Sequence, residues 1–285
     1  MQRWYDTWMR AVLSALVLNS VLLAQSFEVA SIKPVDPDTP TQEPRIDRAT
    51  FELAGTLFDF LTSAYGFRPC ARRAFLGMHC DLIVGAPAWC TKDKFQIRAK
   101  LPANSPAVAR NQFSDGEAPD LDHMLQSLLE ERFKVRTHRE TRELPVYLIT
   151  AGNAKLKLSD GPILRKDADG STYKVQGFYQ LEPRNGGTNW VMAFKNISAR
   201  GLADFLTTIM DRPVLDRSDT AGRFDLTVEF DTDPPGANSG MWRHMTENGP
   251  AIRAAMQKQL GLKLVSAKAP VEVLVIDHAE KPLPD

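Results

Sequence analysis

The sequence predicts an α+β fold made of two related halves, each a largely antiparallel sheet with two helices on one face. Three observations carry this expectation. Strand-like and helix-like segments are mixed without strict βαβ alternation. Two stretches repeat one order of landmarks, and each contains Asp-Phe-Leu-Thr, at Asp59–Thr62 and Asp204–Thr207. The step from Phe95 to Phe133 is 38 residues, and so is the step from Phe224 to Leu262.

Taken in order, residues 1–26 read as an export signal rather than as fold. Arg3 and Arg10 precede an apolar run from Ala11 to Leu23, too short to span a bilayer comfortably. Ala24-Gln25-Ser26 is a small-x-small site, so cleavage after Ser26 would leave Phe27 at the mature terminus. An uncleaved N-terminal anchor is the competing reading. No second apolar stretch of membrane length follows, so no membrane span is expected once the signal is removed.

The first half, residues 27–152, opens with Phe27–Lys33 as a leading strand. Phe51-Glu-Leu then runs into a helix with Leu57, Leu61 and Ala64 at helical spacing after a Thr56 cap. Lys94–Lys100 alternates as a strand. Leu121, Leu125, Leu128 and Leu129 mark a second helix, and Phe133-Lys-Val…Val146–Ile149 reads as a hairpin. Residues 153–170, rich in Lys, Asp and Gly, read as a linker.

The second half, 171–285, repeats the order. Lys174–Gln180 leads, Trp190–Phe194 alternates, and Ser198 caps a helix with Leu202, Phe205, Leu206 and Ile209. Arg223–Glu229 is a strand, Ile252, Ala255, Met256 and Leu260 form a helix, and Leu262-Lys-Leu…Val271–Val275 reads as a second hairpin. Val35–Pro44, Pro102–Pro119 and Thr232–Gly249 are expected as surface loops.

Composition narrows the function. The chain has 35 basic and 35 acidic residues in 285, which argues against general nucleic-acid binding. Three cysteines are too few for a disulfide-built scaffold. His-Glu-x-x-His, Gly-x-Ser-x-Gly, Gly-x-Gly-x-x-Gly, a phosphate-binding loop and Cys-x-x-Cys are all absent from the sequence, so neither a cofactor nor a catalytic residue is implied.

The remaining polar clusters are candidates of lower specificity. Arg136, His138, Arg139, Glu140 and Arg142 fall at the tip of the first predicted hairpin, where an Arg could fork onto a carboxylate or phosphate. A solvated hairpin of cross-paired charges is the simpler explanation of them. Asp277-His278 with Glu280 would be a strand-end polar cluster or an acid–base pair. Trp242 and His244 lie in Met241–Met245 of an expected exposed loop, the kind of residue that marks a contact surface. Cys70, Cys80 and Cys90 allow three pairings in an oxidising compartment, of which Cys70–Cys80 is favoured. Zinc held by Cys70, His79, Cys80 and Cys90 lacks the usual close ligand pairs, so no metal is expected.

FEVASIKP at Phe27–Pro34, HRETRELPVY at His138–Tyr147, GRFDLTVEF at Gly222–Phe230 and GLKLVSAKAPVEVLVIDHAEKP at Gly261–Pro282 resemble a soil-associated bacterial family of exported proteins of unknown function. The resemblance covers nearly the whole mature chain. Some relatives carry the domain behind a membrane metallopeptidase module similar to antibiotic-sensing receptors, which implies extracytoplasmic sensing. Each half is also similar in element order to the short N-terminal domain of secretins and TonB-dependent receptors. The chain departs from the pattern between Tyr65 and Trp89, where the cysteines lie. Asp59 to Phe95 is 36 residues, against 20 from Asp204 to Phe224.

The expected function is therefore a non-catalytic binding, sensing or interaction module of the cell envelope, periplasmic or secreted, whose partner is an unidentified protein or small molecule. The alternatives are an extracytoplasmic hydrolase drawing on His138, Glu140, Asp277 and His278, and a structural envelope component that self-assembles.

Overall fold

The computed structural model describes residues 26–283 except 40–41, 76–79, 109–111, 114–115, 153, 155, 167–171 and 233–240; all but the last residue of the predicted signal lies outside the described residues. In chain order the elements are β1 (Val29–Val35), β2 (Gln42–Ile46), β3 (Thr50–Thr56), α1 (Leu57–Ala64), α2 (Arg68–Phe75), β4 (Ile83–Val84), β5 (Lys94–Lys100), α3 (Pro119–Arg132), β6 (Arg136–Ala151), β7 (Lys157–Leu158), β8 (Ile163–Lys166) and β9 (Thr172–Val175). They continue with β10 (Gly177–Arg184), β11 (Asn189–Ser198), α4 (Ala199–Ile209), β12 (Val214–Asp216), β13 (Arg223–Asp231), α5 (Met241–Glu247), α6 (Gly249–Leu260) and β14 (Leu262–His278). The fold is α+β, with sheets that are mostly antiparallel.

Two compact units divide the described chain. One comprises residues up to 71 together with 83–139 and 274–285, the other residues 72–82 and 140–273. The sequence places its boundary at 153–170 instead. Within that stretch β7 pairs with β13 and β8 with β9, so it carries ladder hydrogen bonds as well as loop.

In the first unit an antiparallel sheet has the order β1-β5-β3-β2. Its register places Ile32 and Leu53 opposite Ile97, and Phe51 opposite Ala99. Phe95, Ile97 and Ala99 alternate inward while Arg98 and Lys100 face water, the period-2 pattern of a half-buried strand. Thr56 begins α1 with a capping box: its hydroxyl accepts from the Asp59 amide at 3.2 Å, and the Asp59 carboxylate accepts from the Thr56 amide at 2.9 Å. Helix α3 buries Leu121, Met124, Leu125, Leu128 and Leu129, one apolar stripe at the helical period. Phe133, just past its end, meets the rings of Phe60, Trp89 and Phe95 at 6.4, 6.4 and 5.2 Å.

The second unit has an antiparallel sheet of order β10-β11-β13-β7. Phe224, Leu226, Val228 and Phe230 alternate inward from β13. Ser198 caps α4 by accepting from the Gly201 amide at 3.0 Å. Arg73 of α2 is buried and donates to the carbonyls of Thr207 and Met210, which closes the C-terminal end of α4 with a cation. The core gathers Trp190, Met192, Phe194, Leu206, Ile209, Ile252, Met256 and Leu262.

Two expectations are corrected. The predicted hairpins are not hairpins: β6 and β14 are single strands of 16 and 17 residues, neighbours in a sheet of order β12-β6-β14-β4. His138 faces Asp277, while the Gly152 amide donates to the Gly261 carbonyl, so the two run antiparallel. His138–Glu143 holds no glycine or asparagine to turn the chain, and backbone bonds to the neighbouring strand keep it extended although its side chains are mostly exposed. The second correction concerns Thr232–Gly249, whose latter part is helical: α5 spans Met241–Glu247.

Candidate functional site

The polar residues at the ends of β6 and β14 are placed by the helix that precedes β6. Helix α3 stops at Arg132, and Lys134 reverses the chain with φ 51°, a left-handed conformation uncommon for a residue with a Cβ. Val135, next along, is buried, and Arg136 opens β6. On the other side the Glu280 amide donates to the Phe133 carbonyl at 2.7 Å, which holds the end of β14 and its extension beside the turn.

An open cleft of about 780 Å³ results, lined by Glu130, Lys134, Val135, Arg136, Thr137, His278 and Glu280, all in the first unit. That volume suits a small-molecule or peptide-sized ligand. Inside it, His278 Nε2 lies 2.9 Å from Glu280 Oε1. The Tyr65 phenol, at the end of α1, is hydrogen-bonded to Thr137 and Glu130, and burial pushes its pKa above the usual tyrosine value. Among the described residues the side chains of Lys134 and Arg136 make no hydrogen bond or ion pair. The cleft therefore has acids that are hydrogen-bonded and two cations whose donors are open.

The other candidates disperse. His138 Nδ1 sits 2.9 Å from Asp277 Oδ2, both about half exposed. Arg139 donates to the Tyr65 carbonyl at 2.8 Å and stacks its guanidinium over Phe67. Glu140 and Arg142 pair with each other in the second unit. His244 is buried rather than exposed, a correction. Its ring lies 2.9 Å from Thr232 Oγ1 and 5.3 Å from the Trp190 ring, because α5 turns that face into the core. The Trp242 side chain lies outside the described residues.

Cys70 and Cys80 are disulfide-bonded, which takes two of the thiolates that zinc would need; His79 lies outside the described residues. Cys90 is a free thiol with no solvent exposure, and burial pushes its pKa up to about 12. Among the described residues no group of three His, Cys, Asp or Glu side chains could hold a metal ion. No described helix is long and apolar enough to cross a membrane.

Sequence reasoning singled out Arg136, His278 and Glu280 but missed Tyr65, Glu130, Lys134 and Thr137. A signal for Lys134 existed: an apolar helix must end before Phe133 begins a strand, and no glycine is there to turn it.

Fold and cleft together define an α+β protein with an open, polar, cation-bearing cleft in its first unit. Residues 70–279 match a family model described as "Protein of unknown function (DUF3738)", and the chain belongs to that family. Comparison with curated proteins and with solved structures yields no match to either.

Proposed function

We propose that this is an exported, non-catalytic binding or sensing module of the bacterial cell envelope, and that the cleft of the first unit is where it meets its ligand. The observation that carries the reading is Lys134. A left-handed backbone costs a non-glycine residue on the order of 1 kcal/mol, and α6 makes its corresponding turn with Gly261 at φ 69°. Keeping a lysine in such a conformation, on the wall of an open cleft, is understandable if the side chain has work there. Export is supported by the charged and apolar pattern of residues 1–26. Descent of both halves from one duplicated ancestor is supported by their shared order of capped helix, strand, helix and long strand.

Hydrogen exchange of the mature protein, with and without envelope extract, tests the binding reading. Protection is expected at residues 130–137 and 278–280. Uniform exchange in both samples would sink it. Export is tested by the N-terminal sequence of the protein recovered outside the cytoplasm, expected to begin at Phe27. The hydrolase reading keeps one observation in its favour, the His138–Asp277 pair, in which a carboxylate orients an imidazole. It requires turnover of an ester or peptide panel that His138→Ala abolishes.

A further inference from the structure

We infer that the ligand taken by this cleft is an oxyanion, a carboxylate or phosphate group carried on a small polar molecule, held by Lys134 and Arg136; the inference rests on the reading of the cleft as the binding site. Of the charged groups on its walls, the negative ones are engaged. Glu280 accepts from or pairs with His278 at 2.9 Å, and Glu130 is bonded to the Tyr65 phenol. The cationic pair is not engaged by any described side chain, although both belong to one short segment and line one cavity. The donors of both cations are open, and an oxyanion is the group that satisfies ammonium and guanidinium donors together.

The two cations offer different things. A guanidinium presents a planar fork that can grip two oxygens of a carboxylate or phosphate, whereas an ammonium acts as a point charge with freely turning donors. Glu130 and Glu280, which line the same cleft, set a limit: a ligand with several clustered negative charges would be repelled, so a single oxyanion on an otherwise neutral body fits best. Nothing in the cleft itself separates carboxylate from phosphate.

The test is an NMR titration of the full mature chain with three probes: glucuronate, glycerol 3-phosphate and glucose. Shifts concentrated at residues 134–137 and 278–280 are expected for one or both anions and not for glucose. Which anion binds tighter identifies the source of the group. Lys134→Gly and Arg136→Gln should each weaken binding about tenfold, the size of one lost charge-assisted hydrogen bond. Lys33→Gln, an exposed lysine on β1, should leave it unchanged. Raising salt from about 50 to about 500 mM should weaken binding further. Scattered shifts that Lys33→Gln alters as much as Arg136→Gln, or no shift with either anion, would overturn the oxyanion assignment. If envelope extract still protects residues 130–137 in hydrogen exchange, the binding reading survives that failure; if it does not, both fall. Arg136→Gln keeps the test decisive should Lys134→Gly alter folding.

Discussion

The two units solve one problem, ending a long helix and starting a long strand, with different residues. In the second, α6 ends and Gly261 alone, at φ 69°, turns the chain into β14 at Leu262. In the first, α3 ends, Phe133 drops into an aromatic cluster, and Lys134 makes the left-handed step before β6 starts at Arg136. The left-handed residue thus falls after the apolar anchor in one and before it in the other. The economical solution, glycine, carries no side chain. The costlier one leaves an ammonium at the wall of a cleft, and the extra residue of its connection, Val135, lines that cleft together with Arg136, the first residue of β6. Where a local rule is broken without a local gain, function is the place to look.

The largest expected effect comes from the anchors. Phe133→Ala removes a fully buried ring with three aromatic neighbours and should cost about 3–5 kcal/mol, against about 2–4 kcal/mol for Leu262→Ala. Denaturant melts with unchanged slope would show it, and equal costs would mean that the aromatic cluster adds nothing beyond its volume.

Next comes the disulfide, found in the first half of the sequence only. Cys70→Ser with Cys80→Ser should lower stability by about 2–3 kcal/mol, by the loop-closure argument for a short loop. The loss should be matched by adding reductant to the wild type and absent when reductant is added to the variant.

The helix caps are a finer comparison. Thr56→Ala and Ser198→Ala should each cost about 1 kcal/mol, but only the first should carry a pH dependence. Asp59 closes the capping box at Thr56, and burial raises its pKa above the ordinary 3.8 against the lowering pull of the Thr56 hydrogen bonds and Lys94. A carboxyl with a raised folded pKa binds more protons folded than unfolded. Its contribution is therefore full below 3.8 and is lost as pH rises through the folded value. Melting profiles of wild type and Asp59→Asn should diverge across that acid window, the wild type losing stability relative to the variant as pH rises. Parallel profiles would remove Asp59 from the account.

The smallest effect is the most informative. Lys134→Gly should leave stability unchanged or raise it by about 0.5–1 kcal/mol, and Gly261→Lys should lower it by a similar amount. Stabilisation with loss of ligand is the behaviour of a site residue. Destabilisation would make Lys134 structural.

Much of the fold was legible because it rests on local periodicity. The Thr56 and Ser198 caps, the alternation of Phe95 and Ile97 and of Phe224–Phe230, and the leucines of α3 all announce themselves within a few residues. The long strands were misread because an exposed segment such as His138–Glu143 has no apolar alternation, and its extended backbone is set by a strand more than a hundred residues away. His244 was misplaced for a related reason: glycines and prolines nearby suggested a loop, while the partners that bury it, Thr232 and Trp190, come from other elements. The cleft was only partly visible. Arg136 and His278 stand out as polar residues, but Tyr65 joins Thr137 through folding alone, and Lys134 is marked only by the missing glycine at its turn, whose left-handed φ the structure supplies.

Cys90 bears on how the molecule is made. It stands ten residues from Cys80, as Cys80 does from Cys70, so chain distance alone gives an oxidant little ground to choose between the two neighbouring pairings. The finished core makes the choice instead. A chain that has joined Cys90 to another cysteine cannot also seat that thiol, protonated and out of contact with water, in the interior of the first unit. Such a chain stays open to thiol exchange until the native bond forms, after which the third sulfur is withdrawn from the chemistry. Replacing Cys90 with serine, which removes both competing pairings, should therefore raise the yield of correctly bridged protein on oxidative refolding.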